Sequence, residues 1–282
     1  MPDANKPELT KPVLDFRNVT LRFEDTWALR NINLILRPGE TRIILGQAGA
    51  GKTTLIKSVI GLVPVQQGTI RLFDSEVTAM KEHELFALRS RAGILLQEGG
   101  LFDSLNIGDN VIFPLQNQQA SKDMPPEEMD RRVRDVLRFV ELEQTIEKFP
   151  SELSGGMRRR VGIARAIVTE PPLVLYDSPT AGLDPITANT IMALIAKERD
   201  TRNTASLIVT HRLQDGELMA NFRYDPQQEE LTPVSPEEQA DPNRARTKFI
   251  VMKEGEIVFF GTRQEIEEST DEYVKRFARH DG

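Results

Sequence analysis

A glycine-rich loop, GQAGAGKT at residues 46–53, decides the fold of this chain. A short apolar strand pattern at residues 43–45 leads into the loop, and a helical pattern at residues 52–61 follows it. Glycine has no Cβ, so successive backbone N–H groups can turn toward one anion, and the start of a helix adds its positive end. The pattern G-x-x-x-x-G-K-[ST] between a strand and a helix therefore predicts a phosphate-binding loop, in which Lys52 neutralises the β- and γ-phosphates and Thr53 ligates Mg²⁺.

Outward from the loop, strand and helix patterns alternate along most of the chain. Apolar residues recur at about every second position from Val13 to Phe23, with one slip that would suit a bulge. This pattern favours an antiparallel, half-buried strand. Later, apolar strands such as residues 173–176 and 207–209 alternate with helical patterns such as the amphipathic stretch 127–140. The alternation predicts an α/β fold with a mostly parallel sheet.

Three segments depart from this alternation. The first twelve residues, MPDANKPELTKP, carry charges and three prolines and are expected to form a flexible tail. Residues 225–246 hold four prolines and six acids with few apolar residues, which predicts a solvated, mobile insertion that is a plain loop. An alternative hypothesis is that this insertion tunes partner binding or shields a dimer edge. Residues 249–260 predict a closing β-hairpin, and residues 263–279 predict a helical tail.

The amino-acid composition excludes several classes of function. The 282 residues contain 36 Lys and Arg against 43 Asp and Glu, a net charge of −7, which argues against nucleic acid as the main ligand. The chain has no cysteine, which excludes disulfides and thiolate chemistry. No apolar run approaches the roughly 18 residues that a membrane-spanning helix needs. We therefore expect a cytoplasmic protein whose membrane contact goes only through a partner.

Two further stretches carry candidate site residues. The segment LSGGM at residues 153–157 precedes a helical pattern and, taken alone, could be an N-capped helix start. The apolar strand pattern at residues 173–177 ends in Asp177, where an α/β sheet exposes ligand-binding groups and an acid can hold Mg²⁺ through water. Asp184 precedes Pro185 and is expected to cap the next helix.

In this order the motifs resemble the ATP-binding subunits of ABC transporters, from about Leu14 to Phe277. The resemblance implies the P-loop NTPase fold of the ABC ATPase type, with an antiparallel β subdomain, a helical subdomain at about residues 98–168 and a single ATP-binding domain over residues 13–282. The matching segments are the Walker A segment at residues 46–54, the Q-loop at Gln97, the LSGGQ signature at 153–157 with Met for Gln, the Walker B strand at 173–177, the D-loop at 181–184 and the switch histidine at His211. The region after Gln97 and the ending EYVKRFA are similar to the ATPases of Mla- and Mce-type lipid transport systems.

The resemblance also implies ATP and Mg²⁺ as cofactors and assigns roles to residues. Phe23, with Trp27 as a weaker candidate, lies where the family stacks an aromatic ring on adenine, although burial in the core is an equal alternative for both. The expected ATP contacts are Phe23, Gly46, Gln47, Ala48, Gly49, Ala50, Gly51, Lys52, Thr53, Thr54, Ser154, Gly155, Gly156 and Asp184. The expected Mg²⁺ ligands are Thr53, Gln97 and Asp177. The expected catalytic residues are Lys52, Gln97, Asp177, Ser178 and His211.

The family further implies its partners. Two ATP-binding domains, expected here to be two copies of this chain, would close head to tail, so that Ser154 and Gly156 contact the ATP bound by Lys52 of the other copy. An integral membrane permease would dock near the Q-loop, which implies a peripheral position on the cytoplasmic face of the inner or plasma membrane. Arg158–Arg160, by contrast, are predicted to be an ordinary solvated helix face.

One residue departs from the family pattern. After Asp177 the family has a glutamate that polarises the attacking water, and here the residue is Ser178. Loss of a general base costs typically 100- to 10,000-fold in rate. Glu98, beside Gln97, is a weak substitute because its side chain should point away in an extended loop. An alternative function is therefore a nucleotide-gated module that dimerises without hydrolysis, while a soluble ABC ATPase of DNA repair or translation is disfavoured because the chain has one cassette and no long coiled coil.

Overall fold

The computed structural model describes residues 11–96, 99–118 and 121–278. Its strands are β1 Leu14–Phe23, β2 Thr26–Leu36, β3 Thr41–Gly46, β4 Gln67–Leu72, β5 Ser75–Glu76, β6 Ala92–Leu95, β7 Leu173–Asp177, β8 Ala205–Val209, β9 Phe222–Asp225, β10 Glu230–Pro233, β11 Thr247–Lys253 and β12 Glu256–Gly261. Its α-helices are α1 Lys52–Val59, α2 Glu82–Arg89, α3 Ile107–Asn117, α4 Pro126–Phe139, α5 Gly155–Ile167, α6 Pro185–Arg202, α7 Leu213–Asn221, α8 Pro236–Ala240, α9 Arg263–Glu267 and α10 Glu272–Ala278.

A six-stranded sheet forms the centre, in the order β12-β11-β3-β8-β7-β6. All neighbouring pairs are parallel except β11 and β12, which form the predicted hairpin. Strands β3, β7 and β8 are buried along their whole length, as expected for parallel strands covered on both faces. The predicted α/β fold with a mostly parallel sheet is confirmed, and the carboxyl ends of β3, β8 and β7 lie side by side.

Alternation along the central strands separates two hydrophobic cores. Ile43 and Leu45 of β3 pack in one core, which also contains apolar residues of α3, α4, α5 and α6. Ile44, between them, packs in the other core with α1 and the antiparallel strands β1 and β2. Successive side chains of a strand point to opposite faces, so one apolar run supplies both cores. The sheet is thereby held rigid from both sides behind the loop that follows β3.

The antiparallel sheet has the order β2-β1-β4-β5. Strand β1 shows a register shift against β2 between Phe16 and Val19, which is where the sequence predicts a slip in the alternation. The sequence also predicts a short second strand at residues 31–36, and the structure has this strand as β2, which begins earlier, at Thr26. The prediction missed the first half of β2 because Trp27, Ala28 and Leu29 are consecutive apolar residues, so this part lacks the alternation of polar and apolar residues that indicates a half-buried strand.

Helices α3, α4 and α5 pack together within the range predicted for the helical subdomain. The amphipathic pattern of residues 127–140 is confirmed as α4, which begins at Pro126 and buries Val133, Val136 and Leu137. The domain boundaries themselves stay predictions, and residues 1–10 of the predicted tail lie outside the described residues.

The acidic segment 225–246 is not the plain loop that the sequence predicts. Strands β9 and β10 pair as a hairpin, with Phe222 opposite Pro233, and α8 follows with Ser235 as its N-cap. The sequence analysis took the prolines as a sign of a loop. Pro233 instead ends an edge strand and Pro236 is the first residue of a helix, and both positions tolerate proline. The segment's mobility and its role in partner binding stay predictions.

The C-terminal tail forms two helices instead of the predicted one. Helix α9 ends at Glu267, and α10 begins at Glu272. The Asp271 side chain accepts hydrogen bonds from the backbone N–H groups of Tyr273 and Val274, so it caps a new helix where the prediction continued the old one.

Candidate active site

The glycine-rich loop joins the end of β3 to the start of α1. Lys52, the first residue of α1, is buried, and its ammonium group donates hydrogen bonds to the carbonyl oxygens of Gly46 at 2.7 Å and Gln47 at 2.8 Å. Burial lowers the pKa of Lys52, and the charge of Asp177 partly opposes this shift. An ammonium group has three N–H donors, so one remains for a phosphate oxygen.

The loop backbone leaves room for an anion. A Cβ on Gly51, whose φ is +100°, would lie 2.1 Å from the carbonyl oxygen of Ala28, so only glycine fits there. Gly49, at φ +79°, has no heavy atom within 4 Å of the position where a Cβ would be. One glycine thus permits close packing of the loop and the other leaves its surface open, which is the geometry that the phosphate-binding prediction requires.

A cleft of about 400 Å³ lies over this loop and brings most of the predicted residues together. Its lining is Phe23, Thr26, Trp27, Ala28, Ala48, Gly49, Gly51, Lys52, Thr53, Thr54, Asp177, Ser178, Val209 and His211. Phe23 is 51% exposed and Trp27 37% exposed, so the alternative of a core aromatic is wrong for both. Arg22 and Arg30 already contact the Trp27 ring, which leaves Phe23 as the better platform for adenine, a role that stays a prediction.

Asp177 and Ser178 stand at the carboxyl end of β7. Asp177 is the only carboxylate among the described residues that line the cleft. Ser178 has a φ of +54°, its N–H donates to the carbonyl oxygen of Val209, and its hydroxyl donates to Asp177 Oδ1 at 3.3 Å. Gln97 and Glu98 lie outside the described residues, so their predicted roles stay predictions.

A buried carboxylate that the sequence analysis missed, that of Asp215, joins the turn after β7 to Thr210, the residue before His211. Asp215 Oδ2 accepts hydrogen bonds from the hydroxyls of Thr180 and Thr210, both at 2.5 Å. Burial raises the pKa of Asp215, while the two hydroxyls and Arg212 act in the opposite direction. Asp215 lies in the first turn of α7, four residues after His211, and that spacing was the available signal.

His211 is therefore held on a fixed turn at the edge of the cleft. Burial is the main cause that lowers the pKa of His211, and the charge of Lys52 lowers it further. A hydrogen bond with the backbone of Gly46 and the charge of Asp177 act in the opposite direction. Because the ordinary pKa of histidine is near 6.5, a lowered value keeps the imidazole neutral at neutral pH. A neutral imidazole offers both a donor and an acceptor to a phosphate and its attacking water.

A second missed residue corrects the prediction for Arg158–Arg160. Arg159 is only 7% exposed, and it donates to the carbonyl oxygens of Ser178 at 3.4 Å and Pro179 at 2.9 Å. Arg160 donates to the carbonyl oxygen of Val140. Consecutive helix residues are rotated by about 100°, so three charges in a row cannot all face solvent on a packed helix such as α5. The solvated-face prediction is therefore wrong for Arg159.

The LSGGM segment is an N-capped helix start, and it lies apart from the loop. Ser154 caps α5 by accepting from the N–H of Met157 at 3.3 Å. Gly155 and Arg159 line a second cleft of about 420 Å³ together with Gly182 and Leu183. This cleft shares no lining residue with the loop cleft. One chain therefore presents the glycine-rich loop and the LSGGM segment on two separate surfaces.

Asp184, predicted to contact the nucleotide, acts as the N-cap of α6. Its carboxylate accepts from the N–H of Thr187 at 3.0 Å and from the Thr187 hydroxyl at 2.6 Å. These hydrogen bonds lower the pKa of Asp184. The capping prediction is confirmed, and a nucleotide contact stays a prediction.

A phosphate loop, an acid and a neutral histidine at adjacent strand ends, and a separate capped glycine segment define an ATP-binding cassette. The family model described as ABC transporter matches residues 29–181, and the chain belongs to this family. Among solved structures, a dimeric ATP-binding cassette in a post-hydrolysis state with ADP and Pi is 27% identical, with a TM-score of 0.73, over 88% of this chain and 98% of that one. The predicted family and fold are confirmed.

The names of three curated relatives mention three different transported substrates. The methionine import ATP-binding protein MetN of Clostridium tetani is 38% identical over 72% of this chain and 62% of its own length. The intermembrane phospholipid transport system ATP-binding protein MlaF of Haemophilus influenzae is 33% identical over 77% and 81%, respectively. The probable ribonucleotide transport ATP-binding protein mkl of Mycobacterium leprae is 34% identical over 71% of this chain and 57% of its own length. The matched part of this chain thus spans about three fifths of the length of MetN and mkl.

A helix needs about 20 mostly apolar residues to cross a membrane. Within residues 11–96, 99–118 and 121–278, every helix is too short or too polar to cross a bilayer.

Proposed function

We propose that this chain binds and hydrolyses ATP and thereby powers an ABC transporter. The observation that carries the proposal is the loop cleft, in which Lys52, Asp177, Ser178 and His211 meet on three adjacent strand ends. Each group is fixed through the backbone of a buried strand, so the cleft is arranged before a ligand enters. Catalysis of phosphoryl transfer depends mainly on such positioning and on charge.

The groups in the cleft fit a nucleoside triphosphate with Mg²⁺. The phosphates would lie on the open loop at Gly49 and receive the remaining donor of Lys52. Thr53 and Asp177 would hold Mg²⁺ through oxygen, the ligand type that this ion prefers. Gln97, outside the described residues, completes the proposed ligand set. Mg²⁺, when bound, neutralises charge on the β- and γ-phosphates.

Ser178 would orient the attacking water instead of deprotonating it. A serine hydroxyl is a donor and an acceptor but no base near neutral pH. Asp177 holds the Ser178 hydroxyl, and Arg159 holds its carbonyl oxygen, so the side chain has a defined position at the cleft. We expect hydrolysis that is slow, about 100- to 10,000-fold below that of a cassette with a glutamate there.

Each complete site would form between two copies of the chain. Gly155 of the capped segment lines a different cleft from Lys52. In a head-to-tail pair, each site would combine the loop of one copy with the capped segment, Ser154 to Gly156, of the other. Light scattering with ATP in the presence of EDTA, which slows turnover, tests this dimer. We expect dimers for the unaltered chain and monomers for Ser154→Arg, whereas ADP should give monomers for both.

The transported substrate is proposed to be a phospholipid or another hydrophobic molecule. The support is the likeness to MlaF, of whose length the aligned part of this chain covers 81%. MetN and mkl name other substrates at similar identity, so the assignment needs its own test. Co-purification from membranes should recover an integral permease, which would also place the chain on the cytoplasmic face.

Steady-state ATP hydrolysis with Mg²⁺ tests the proposed activity. Turnover that Lys52→Ala abolishes supports the ATPase. A second candidate function, a nucleotide-gated module without hydrolysis, is favoured by Ser178 alone. It gains support if the unaltered chain forms ATP-dependent dimers but shows no turnover above the Lys52→Ala variant.

A further inference from the structure

A groove of about 430 Å³ lies between the antiparallel strands β1 and β2 and the β11–β12 hairpin. We call it the cationic groove, because four cationic side chains line it: Arg17, Arg37, Arg42 and Lys248. The only carboxylate among the described lining residues is Asp15. Its volume is in the range of small-molecule sites, and no motif of the cassette accounts for it.

Two of the four cations have carboxylate partners. Arg17 pairs with Asp15 at 2.7 Å, and Arg42 pairs with Glu40 at 2.7 Å. Glu40 is also occupied by the backbone N–H of Arg37, which donates to it at 2.8 Å. Within the described part of the chain, the side chains of Arg37 and Lys248 form no ion pair. The charge of Glu265 also acts on Lys248, so the carboxylates of Asp15, Glu40 and Glu265 stand against four cations. The groove therefore keeps about one positive charge in excess.

Buried donors in the groove also lack acceptors. Arg42 is 2% exposed, and its terminal nitrogens donate to the carbonyl oxygens of Thr41 and Ile35 and to Glu40. Its Nε has no acceptor among the described residues, and the buried Nε of Arg37 has none either. Buried donors are almost always paired in folded proteins. Two buried N–H groups beside the groove are thus left without an acceptor among the described residues.

Lys248 and Phe260 form the opposite wall. The Lys248 ammonium lies 5.2 Å and the Arg42 guanidinium 5.6 Å from the centroid of the Phe260 ring. Burial lowers the pKa of Lys248 most, and Arg42 adds to this shift, whereas Glu40 and Glu265 oppose it. Positive groups are therefore crowded together, and an anion between them would relieve their repulsion.

The groove also has an apolar wall. Ile35 and Phe260 line it and are among the exposed large hydrophobic side chains. A ligand that matches this lining combines an anionic group with an apolar body. We propose that the cationic groove binds a phosphate monoester that carries an apolar group, and that it does so at a site separate from the ATP cleft.

Strand pairing sets the separation of the two sites. Lys248 pairs with Arg42 at the start of the parallel β11–β3 pair, and Met252 pairs with Gly46 at its end. Four residues of strand span about 13 Å, so the groove and the loop lie at opposite ends of the same two strands. Nucleotide and phosphate monoester would bind together, and the inference does not depend on ATP hydrolysis.

Phenyl phosphate is the soluble probe, titrated calorimetrically into the full chain saturated with Mg²⁺ and ADP so that the loop is filled. We expect binding that weakens at least tenfold in Lys248→Ala. Lys253→Ala is the matched control, because Lys253 lies on the same strand with its ammonium 5.1 Å from the Tyr273 ring, and it does not line the groove. Phe260→Ala should weaken phenyl phosphate but leave the weaker binding of inorganic phosphate unchanged.

Vesicles distinguish the source of the phosphate. If the chain floats with phosphatidylcholine vesicles that contain phosphatidate, and Lys248→Ala does not, the ligand is a lipid phosphate. If the chain binds phenyl phosphate but does not float with these vesicles, the ligand is a soluble ester. Three results overturn the proposal: neither probe binds, Lys248→Ala binds as well as Lys253→Ala, or phenyl phosphate binds only when ADP is left out. Thermal unfolding shows whether each variant is folded. If Lys248→Ala is not folded, Lys248→Gln takes its place.

Discussion

Replacing Ser178 with glutamate should raise the ATP turnover rate by about 100- to 1,000-fold. The position lines the cleft beside Asp177, so a longer acidic side chain would reach the space over the phosphate loop. Ser178 already has a φ of +54°, and glutamate is no more restricted there than serine. At about 1.36 kcal/mol per tenfold, the gain corresponds to about 2.7–4.1 kcal/mol of transition-state stabilisation.

Phosphate release at saturating ATP and Mg²⁺ measures the effect. Ser178→Gln is the matched control, because it has the size of glutamate without a proton acceptor of comparable basicity. A general base should add an acidic limb to the pH–rate profile of Ser178→Glu that the unaltered chain and Ser178→Gln do not have. ATP affinity should change by less than the rate, since the carboxylate acts on water and leaves the phosphate contacts of Lys52 in place.

The reasoning fails if Ser178→Glu and Ser178→Gln turn over at equal rates while both still bind ATP. Such a result would mean that the water is activated from elsewhere, and a carboxylate outside the described residues, such as Glu98, would then be the first to replace. If the unaltered chain already matched Ser178→Glu, positioning by the hydroxyl would suffice and the expected slow rate would be wrong.

Three further predictions concern the surroundings of the cleft. Arg159→Leu should lower the free energy of unfolding by about 1–3 kcal/mol in urea, because two buried carbonyl oxygens lose their donor, whereas Arg158→Ala on the same helix should change it by about 0.5 kcal/mol or less. Asp215→Asn should flatten the pH dependence of Tm. The raised pKa of Asp215 means that the folded protein holds the proton of this carboxyl group more tightly than the unfolded chain does. The stabilisation present at low pH is therefore lost as pH rises through the folded pKa. An unchanged slope in Asp215→Asn would contradict this. Gly51→Ala should weaken binding of a fluorescent ATP analogue at least tenfold, since its Cβ would overlap the carbonyl oxygen of Ala28; affinity within twofold of the unaltered chain would contradict the packing argument.

The sequence predicts the loop cleft well because its determinants are local. The glycines and Lys52 lie within eight residues, and the strand that leads into them is a run of buried apolar residues, so spacing alone indicates the geometry. Asp177 and His211 are each placed by the strand that precedes them. Parallel pairing of these strands then brings the groups together without further information, which is why the family resemblance and the structure agree there.

Residues that act through tertiary contacts are not visible in this way. Arg159 stands within a run of three arginines, and only the packing of α5 against the turn after β7 decides which of them turns inward. Asp215 resembles any acid in the first turn of a helix until the hydroxyls of Thr180 and Thr210 are found on it. The hairpin in the acidic segment was missed for a related reason, since prolines at an edge strand and a helix start resemble a loop in composition.

These two missed residues hold the turn that follows β7, where Ser178 stands in place of the usual glutamate. Arg159 holds the carbonyl oxygens of Ser178 and Pro179, and Asp215 holds the next residue, Thr180. Both contacts leave the Ser178 side chain free of any structural role beyond its bond to Asp177. The position of the turn is therefore set by its neighbours, and the identity of residue 178 governs the chemical step. It follows that substitutions at 178 should change hydrolysis and leave ATP-dependent dimerisation intact, whereas Arg159→Leu should impair both.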